Sequence, residues 1–104
     1  MAENGRRDYE LVYIAQPETS DEAITAINRR LVGTITAQDG EMRGIDLWGR
    51  RKLAYPINNH FEGHYVLHSF AMPPSGTGDI DLALRFDEDV IRYLLMLTDE
   101  PDEE

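Results

Sequence analysis

Arg50, Arg51 and Lys52 stand side by side in GRRKLAYPI, residues 49–57, within a chain of 20 acidic and 10 basic residues and a formal net charge of −10. Three cations in a row can bind phosphate. Arginine offers a bidentate fork to phosphate oxygens, and each neutralised phosphate releases condensed counterions. Alternation along a strand sends Arg50 and Lys52 to one face and Arg51 to the other. One face can then meet a nucleic acid while the other pairs with acids. The plainer alternative is a solvated sheet edge that uses charge to block strand-to-strand aggregation. Arg6, Arg7 and Arg92 are further, weaker candidates for contact with a nucleic-acid phosphate. Arg29 and Arg30 are read as cations near a helix C-terminus, where the macrodipole favours them.

Other groups that could do chemistry are sparse. His60, His64 and His68 recur every four residues, a metal-ligand spacing on a helix. Their segment reads as a strand, where four residues span about 13 Å, too far to share one ion. They are expected to be structural, and neither a metal nor a cofactor is expected. Asp87, Glu88 and Asp89 make an acidic turn, read as solvated rather than as an ion site. Ser20, Ser69 and Ser75 lack the G-x-S-x-G context of a nucleophile elbow. Gly76-Thr77-Gly78 is too short for a phosphate loop. The chain has no cysteine, which excludes disulfides, thiolate metal sites and thiol nucleophiles. An enzyme is not expected.

The elements that would position these residues follow from periodicity. DYELVYIA, residues 8–15, reads as a strand ended by Pro17. Thr19 with Glu22 makes a capping box, so a helix should begin just after Thr19. Ile24, Ile27 and Leu31 give it an apolar stripe, and Gly33 is its expected stop. AQDG, 37–40, is a turn. Residues 41–57 read as a second strand, in which Gly44 and Gly49 imply a bulge and Pro56 implies a sheet edge or turn. NNHFEG is expected to be a loop and HYVLHSFAM, 64–72, a third strand. Thr77 or Ser75 could cap a short helix carrying Ile80, Ala83 and Leu84. VIRYLLMLT, 90–98, reads as the last strand.

Strand, helix, strand, strand, helix, strand is the split βαβ order. The expected fold is α+β and ferredoxin-like: βαββαβ, a four-stranded antiparallel sheet with two helices on one face. Leu11 and Tyr13 share one face of the first strand, Val12 and Ile14 the other. Tyr93, Leu95 and Leu97 alternate with Leu94 and Met96. The set turned from the helices needs a cover, and an exposed apolar patch of that size marks an interface. The fold is also the scaffold of RNA-recognition modules, which stack bases on aromatics of the central strands. Tyr9, Tyr13, Phe61, Tyr65 and Phe70 are the candidates here, although the basic-aromatic signature of those modules is absent.

At 104 residues the chain is expected to form one domain over 1–98, with residues 1–5 flexible. DEPDEE, 99–104, holds five acids in six residues and reads as a disordered tail. The remaining 98 residues carry a net −5, a modest charge on which one positive face can stand. MAENGRRDYE has no apolar stretch of a secretory signal, and no apolar run nears the roughly 20 residues of a membrane span. A cytoplasmic protein without a membrane partner is expected.

Several strings together resemble bacterial small-subunit ribosomal protein six. They are Tyr9-Glu10 in the first strand, Gly49 to Ile57 closing the second, Gly63-His64-Tyr65 in the third and Met72-Pro73 ending it. The match covers about residues 6–98. His64 stands where the family more often has an aromatic, and neither the acidic tail nor the segment around Trp48 belongs to the shared motif. The resemblance implies a structural, non-enzymatic component of the small ribosomal subunit, located on the ribosome. It would bind the central domain of the small-subunit ribosomal RNA together with small-subunit ribosomal protein eighteen. A basic partner of that kind could supply much of the phosphate contact. Arg50, Arg51 and Lys52 would then touch RNA, and Val12, Trp48, Leu94 and Met96 are expected at the protein partner. The alternative is a ferredoxin-like protein- or ligand-binding module with no RNA role.

Overall fold

A computed structural model describes residues 5–57 and 59–98. The expected flexible start (all but Gly5) and the expected disordered tail, 99–104, lie outside the described residues. Four strands and two helices follow the anticipated order: β1 (Arg7–Ala15), α1 (Asp21–Ala37), β2 (Glu41–Ile57), β3 (His60–Met72), α2 (Thr77–Arg85) and β4 (Val90–Leu97). A 3₁₀ turn, Pro74–Gly76, leads into α2. The sheet order is β2-β3-β1-β4 with every neighbouring pair antiparallel.

Period-two alternation divides the sheet. Tyr9, Leu11, Tyr13 and Ala15 of β1, with Val66 and Phe70 of β3, pack under Ile24, Ile27, Leu31 and Ile35 of α1 and Ile80 and Leu84 of α2. Tyr93 and Leu95 of β4 join that core. Both helices therefore cover one face. Full burial of a side chain such as Leu31 or Ile35 contributes about 1.5–3 kcal/mol, so the α1 stripe is a main support of the fold.

That stripe explains two departures from the sequence reading. The cap of α1 is Ser20, whose hydroxyl accepts from the Ala23 amide at 3.1 Å. Thr19 is buried instead, so the helix starts one residue later than a Thr19 cap requires. Gly33 does not stop α1, because Ile35, one turn beyond Leu31, is fully buried and holds the helix to Ala37. Arg29 and Arg30 consequently sit mid-helix, outside the reach of the macrodipole. Arg30 is held by an ion pair with Asp87.

Two more boundaries moved. β3 begins at His60, so most of NNHFEG is strand; the reversal is tight, with Asn59 at φ 68°. No side chain caps α2, and the Thr77 hydroxyl donates back to the Pro74 carbonyl at 2.9 Å. The irregularity foreseen for β2 is present: its pairing with β3 shifts next to Gly44 and again next to Gly49, which sits at φ 83°. β2 is an outer strand, as Pro56 required. Beyond His64, β3 has no β1 partner, so its first residues pair with β2 alone as a two-stranded arm.

Candidate nucleic-acid and partner interface

Arg50, Arg51 and Lys52 lie where the arm leaves the sheet, opposite His64, Gly63 and Glu62. Alternation splits them as expected. On the helix side, Arg50 donates through Nη2 to the Pro17 carbonyl at 2.6 Å, and its Nη1 lies 3.7 Å from a Glu62 oxygen. The His64 ring also reaches the Pro17 carbonyl, at 3.1 Å. Arg50 thus ties the β1–α1 connection to β2. Lys52 is exposed and pairs across the strand with Glu62. Arg51 points to the other face, its guanidinium 5.3 Å from the centre of the Trp48 ring. Trp48 stacks on Tyr65 at 6.1 Å and 19°, and its indole N–H donates to Asp46 at 3.1 Å.

Arg92 reaches the same face at the same end. It lies opposite Ile14, which in turn lies opposite Tyr65. Its Nη1 donates to the Tyr55 hydroxyl at 2.7 Å, and the guanidinium sits 6.0 Å from that ring. Each of these arginines therefore sits against an aromatic ring and remains exposed. Arg6 and Arg7 are elsewhere. Arg7 pairs with Met72 at the far end of β1 from Ala15 and His64, about 26 Å along the strand. Arg6 donates to the Asp39 carbonyl at 2.9 Å and lies 3.4 Å from Glu41. The six cations singled out in the sequence do not form one patch.

The residues expected at a protein partner do come together. Val12 lies opposite Leu94 on one side and Leu67 on the other, and Met96 lies opposite Glu10 in the next row. Trp48, on its stack with Tyr65, continues the same face towards the arm. Leu94 is 57% exposed. The face without helices is thus an apolar strip along β1 and β4, flanked at the arm end by Arg51 and Arg92. Of the aromatics weighed for base stacking, Tyr9, Tyr13 and Phe70 point under the helices and are buried; they are core. Tyr65 and the exposed Phe61 remain on the open side. The sequence reading missed Tyr55, whose partner Arg92 is 37 residues away. It also passed over Ile45 and Leu47 of β2, which are exposed although Met42 of the same strand packs against the core.

Two of the three histidines, His64 and His68, make polar contacts within the fold. His68 is fully buried and its Nε2 lies 2.9 Å from Asn28 Oδ1, which also accepts from the Tyr13 hydroxyl at 2.7 Å. An oxygen shared in this way makes Nε2 the protonated nitrogen, and Nδ1 is left without a hydrogen-bond partner. Burial lowers the His68 pKa to about 4 and pushes the Tyr13 phenol well up. The Tyr93 hydroxyl bonds to Asp81, which raises its pKa. Asp87 pairs with Arg30 and accepts from the Asp89 amide at 2.9 Å. Among the described residues no group of three metal-ligating side chains could hold an ion, and no helix is long and apolar enough to cross a membrane.

Comparison with known proteins adds to this geometry. A family model described as Ribosomal protein S6 matches residues 8–96. Small ribosomal subunit protein bS6 of Clostridioides difficile is 41% identical over 91 residues, covering 88% of this chain and 98% of that protein. The crystal structure of 30S ribosomal protein S6 from Thermotoga maritima superposes with a TM-score of 0.83 at 24% identity, over 88% of this chain and 87% of that one. The C-terminal domain of the MgtC protein from Mycobacterium tuberculosis shares the fold at a TM-score of 0.66 and 15% identity, covering 100% of both chains. The sheet-and-helix architecture by itself is therefore not what distinguishes a ribosomal protein.

Proposed function

The chain belongs to the ribosomal protein S6 family, and we propose that it binds the central domain of the small-subunit ribosomal RNA jointly with small-subunit ribosomal protein eighteen. The family consists of ribosomal structural proteins, not enzymes. What carries the proposal is the open sheet face, where an apolar strip of Val12, Leu94 and Met96 ends at two outward-facing arginines. The strip suits a protein partner, and Glu10 in its midst, opposite Met96, favours a basic one. Arg51 and Arg92 at the margin, with Lys52 on the arm, would supply phosphate contacts. Arg50 is largely committed to Pro17 and Glu62 and would contribute less. Arg6 and Arg7, at the other end of the sheet, would touch RNA only as a separate contact. In this role the protein works in the cytoplasm as part of the small subunit.

The test is a salt series of binding to a central-domain RNA fragment, with protein eighteen present. Arg51→Ala with Lys52→Ala should lower the slope of log K against log salt by about 2, near one per lost phosphate contact. Leu94→Asp should abolish pairing with protein eighteen without unfolding the chain, since Leu94 is exposed. An unchanged slope in the first variant, together with normal pairing in the second, would overturn the proposal.

A further inference from the structure

The opposite side of the molecule carries a second surface. Where α1 and α2 lie against each other, two depressions of about 370 and 480 Å³ meet at Arg30, Leu82 and Ala83. Leu82 is 54% exposed and Phe86 73%. α2 turns its own apolar stripe, Ile80 and Leu84, into the core, so Leu82 faces outward, and Phe86, just past the helix end, is outward too, with the Arg85 guanidinium 5.8 Å from its ring centre. The rim around them is acidic. Both nearby arginines are already neutralised, Arg30 by Asp87 and Arg85 by Asp81. Asp79 is met by the neutral amide of Gln38 rather than by a cation. The Glu88 and Asp89 side chains form no ion pair with a described residue.

Negative charge at the rim repels phosphate backbones and anionic headgroups. It attracts lysine and arginine, while the apolar floor rewards a bulky hydrophobic side chain. We propose that the α1–α2 trough docks a cationic segment of a protein partner. One large apolar side chain of that segment packs on Leu82 and Phe86, and its basic heads meet Asp79, Glu88 and Asp89. This surface faces away from the open sheet face, so the proposal does not rest on the RNA-binding reading.

The experiment titrates the isotope-labelled full chain with a synthetic peptide of four lysines flanking two leucines, followed by amide NMR. Shifts should concentrate in residues 30–38 and 79–89. The same peptide with glutamates for lysines should not bind. Leu82→Ala with Phe86→Ala should weaken the lysine–leucine peptide ~10-fold or more, as expected for loss of an aromatic anchor. That variant should leave a lysine–serine peptide unaffected. Glu88→Gln with Asp89→Asn must weaken binding independently, with the apolar floor intact. No binding, shifts spread over other acids such as Asp21 and Glu22, or an affinity unchanged in the Leu82/Phe86 variant would each overturn the proposal.

Discussion

Acid should unfold this domain partly through one imidazole. His68 is fully buried, and its Nδ1 has no partner to receive a proton's hydrogen bond. Its pKa falls from 6.5 to about 4 because burial penalises the charged ring. In the unfolded chain the ring regains its ordinary pKa. The unfolded state therefore binds more protons between those two values, and stability rises with pH there. The contribution is complete above pH 6.5 and is lost as pH falls towards 4. Linkage with these two values gives a loss of about 2 kcal/mol between pH 7 and pH 5. Urea unfolding followed by fluorescence of Trp48, the only tryptophan, measures it. His68→Gln keeps an amide donor for Asn28 but cannot titrate, so its stability should be about 2 kcal/mol less pH-dependent over that interval. His60, His64 and the carboxylates are common to both proteins and cancel. Parallel stability curves for the two proteins, or a His68 ring resonance titrating near 6.5 in the folded state, would refute the reasoning.

Two smaller predictions concern the scaffold. Ser20→Ala should lower stability by about 1 kcal/mol by removing the α1 cap, whereas Thr19→Ala should not remove that bond; thermal unfolding of the pair separates them. Gly63→Ala should cost about 1–3 kcal/mol, because a Cβ there would lie 2.4 Å from Ile14 Cγ2 and 3.0 Å from the Ala15 carbonyl oxygen. A melting temperature equal to wild type would show that β1 can yield at that point.

Both sets of β1, Leu11/Tyr13 and Val12/Ile14, are apolar, so which one lies under the helices was not legible, whereas the alternation itself in β1 and β4 was, from its period of two. The order of elements was legible for the same reason. Boundaries were less so. Ser20 and Thr19 are equally good caps by composition, and only the burial of Thr19 under the turn decides between them. Gly33 reads as a stop until Ile35 is seen to fill the core. Three of the five aromatic candidates for stacking were misread because sequence shows a residue's type, not its face; the parity of Tyr9 and Tyr13 with Leu11 was the available signal in β1. The pairing of Arg92 with Tyr55 joins two strands that are not neighbours in the sheet, and no local pattern announces it.

The arm formed by the end of β2 and the start of β3 has only two strands, and ribbons of that width are marginal in water. Amide protons beyond Lys52 are therefore the first in the sheet to open to solvent, while the segment under α1 stays closed. If RNA or a partner docks there as proposed, it would quench that breathing, and part of the binding free energy would go into stiffening the arm. Affinity at this end of the molecule then depends on the rigidity of Tyr55-Pro56 as well as on charge.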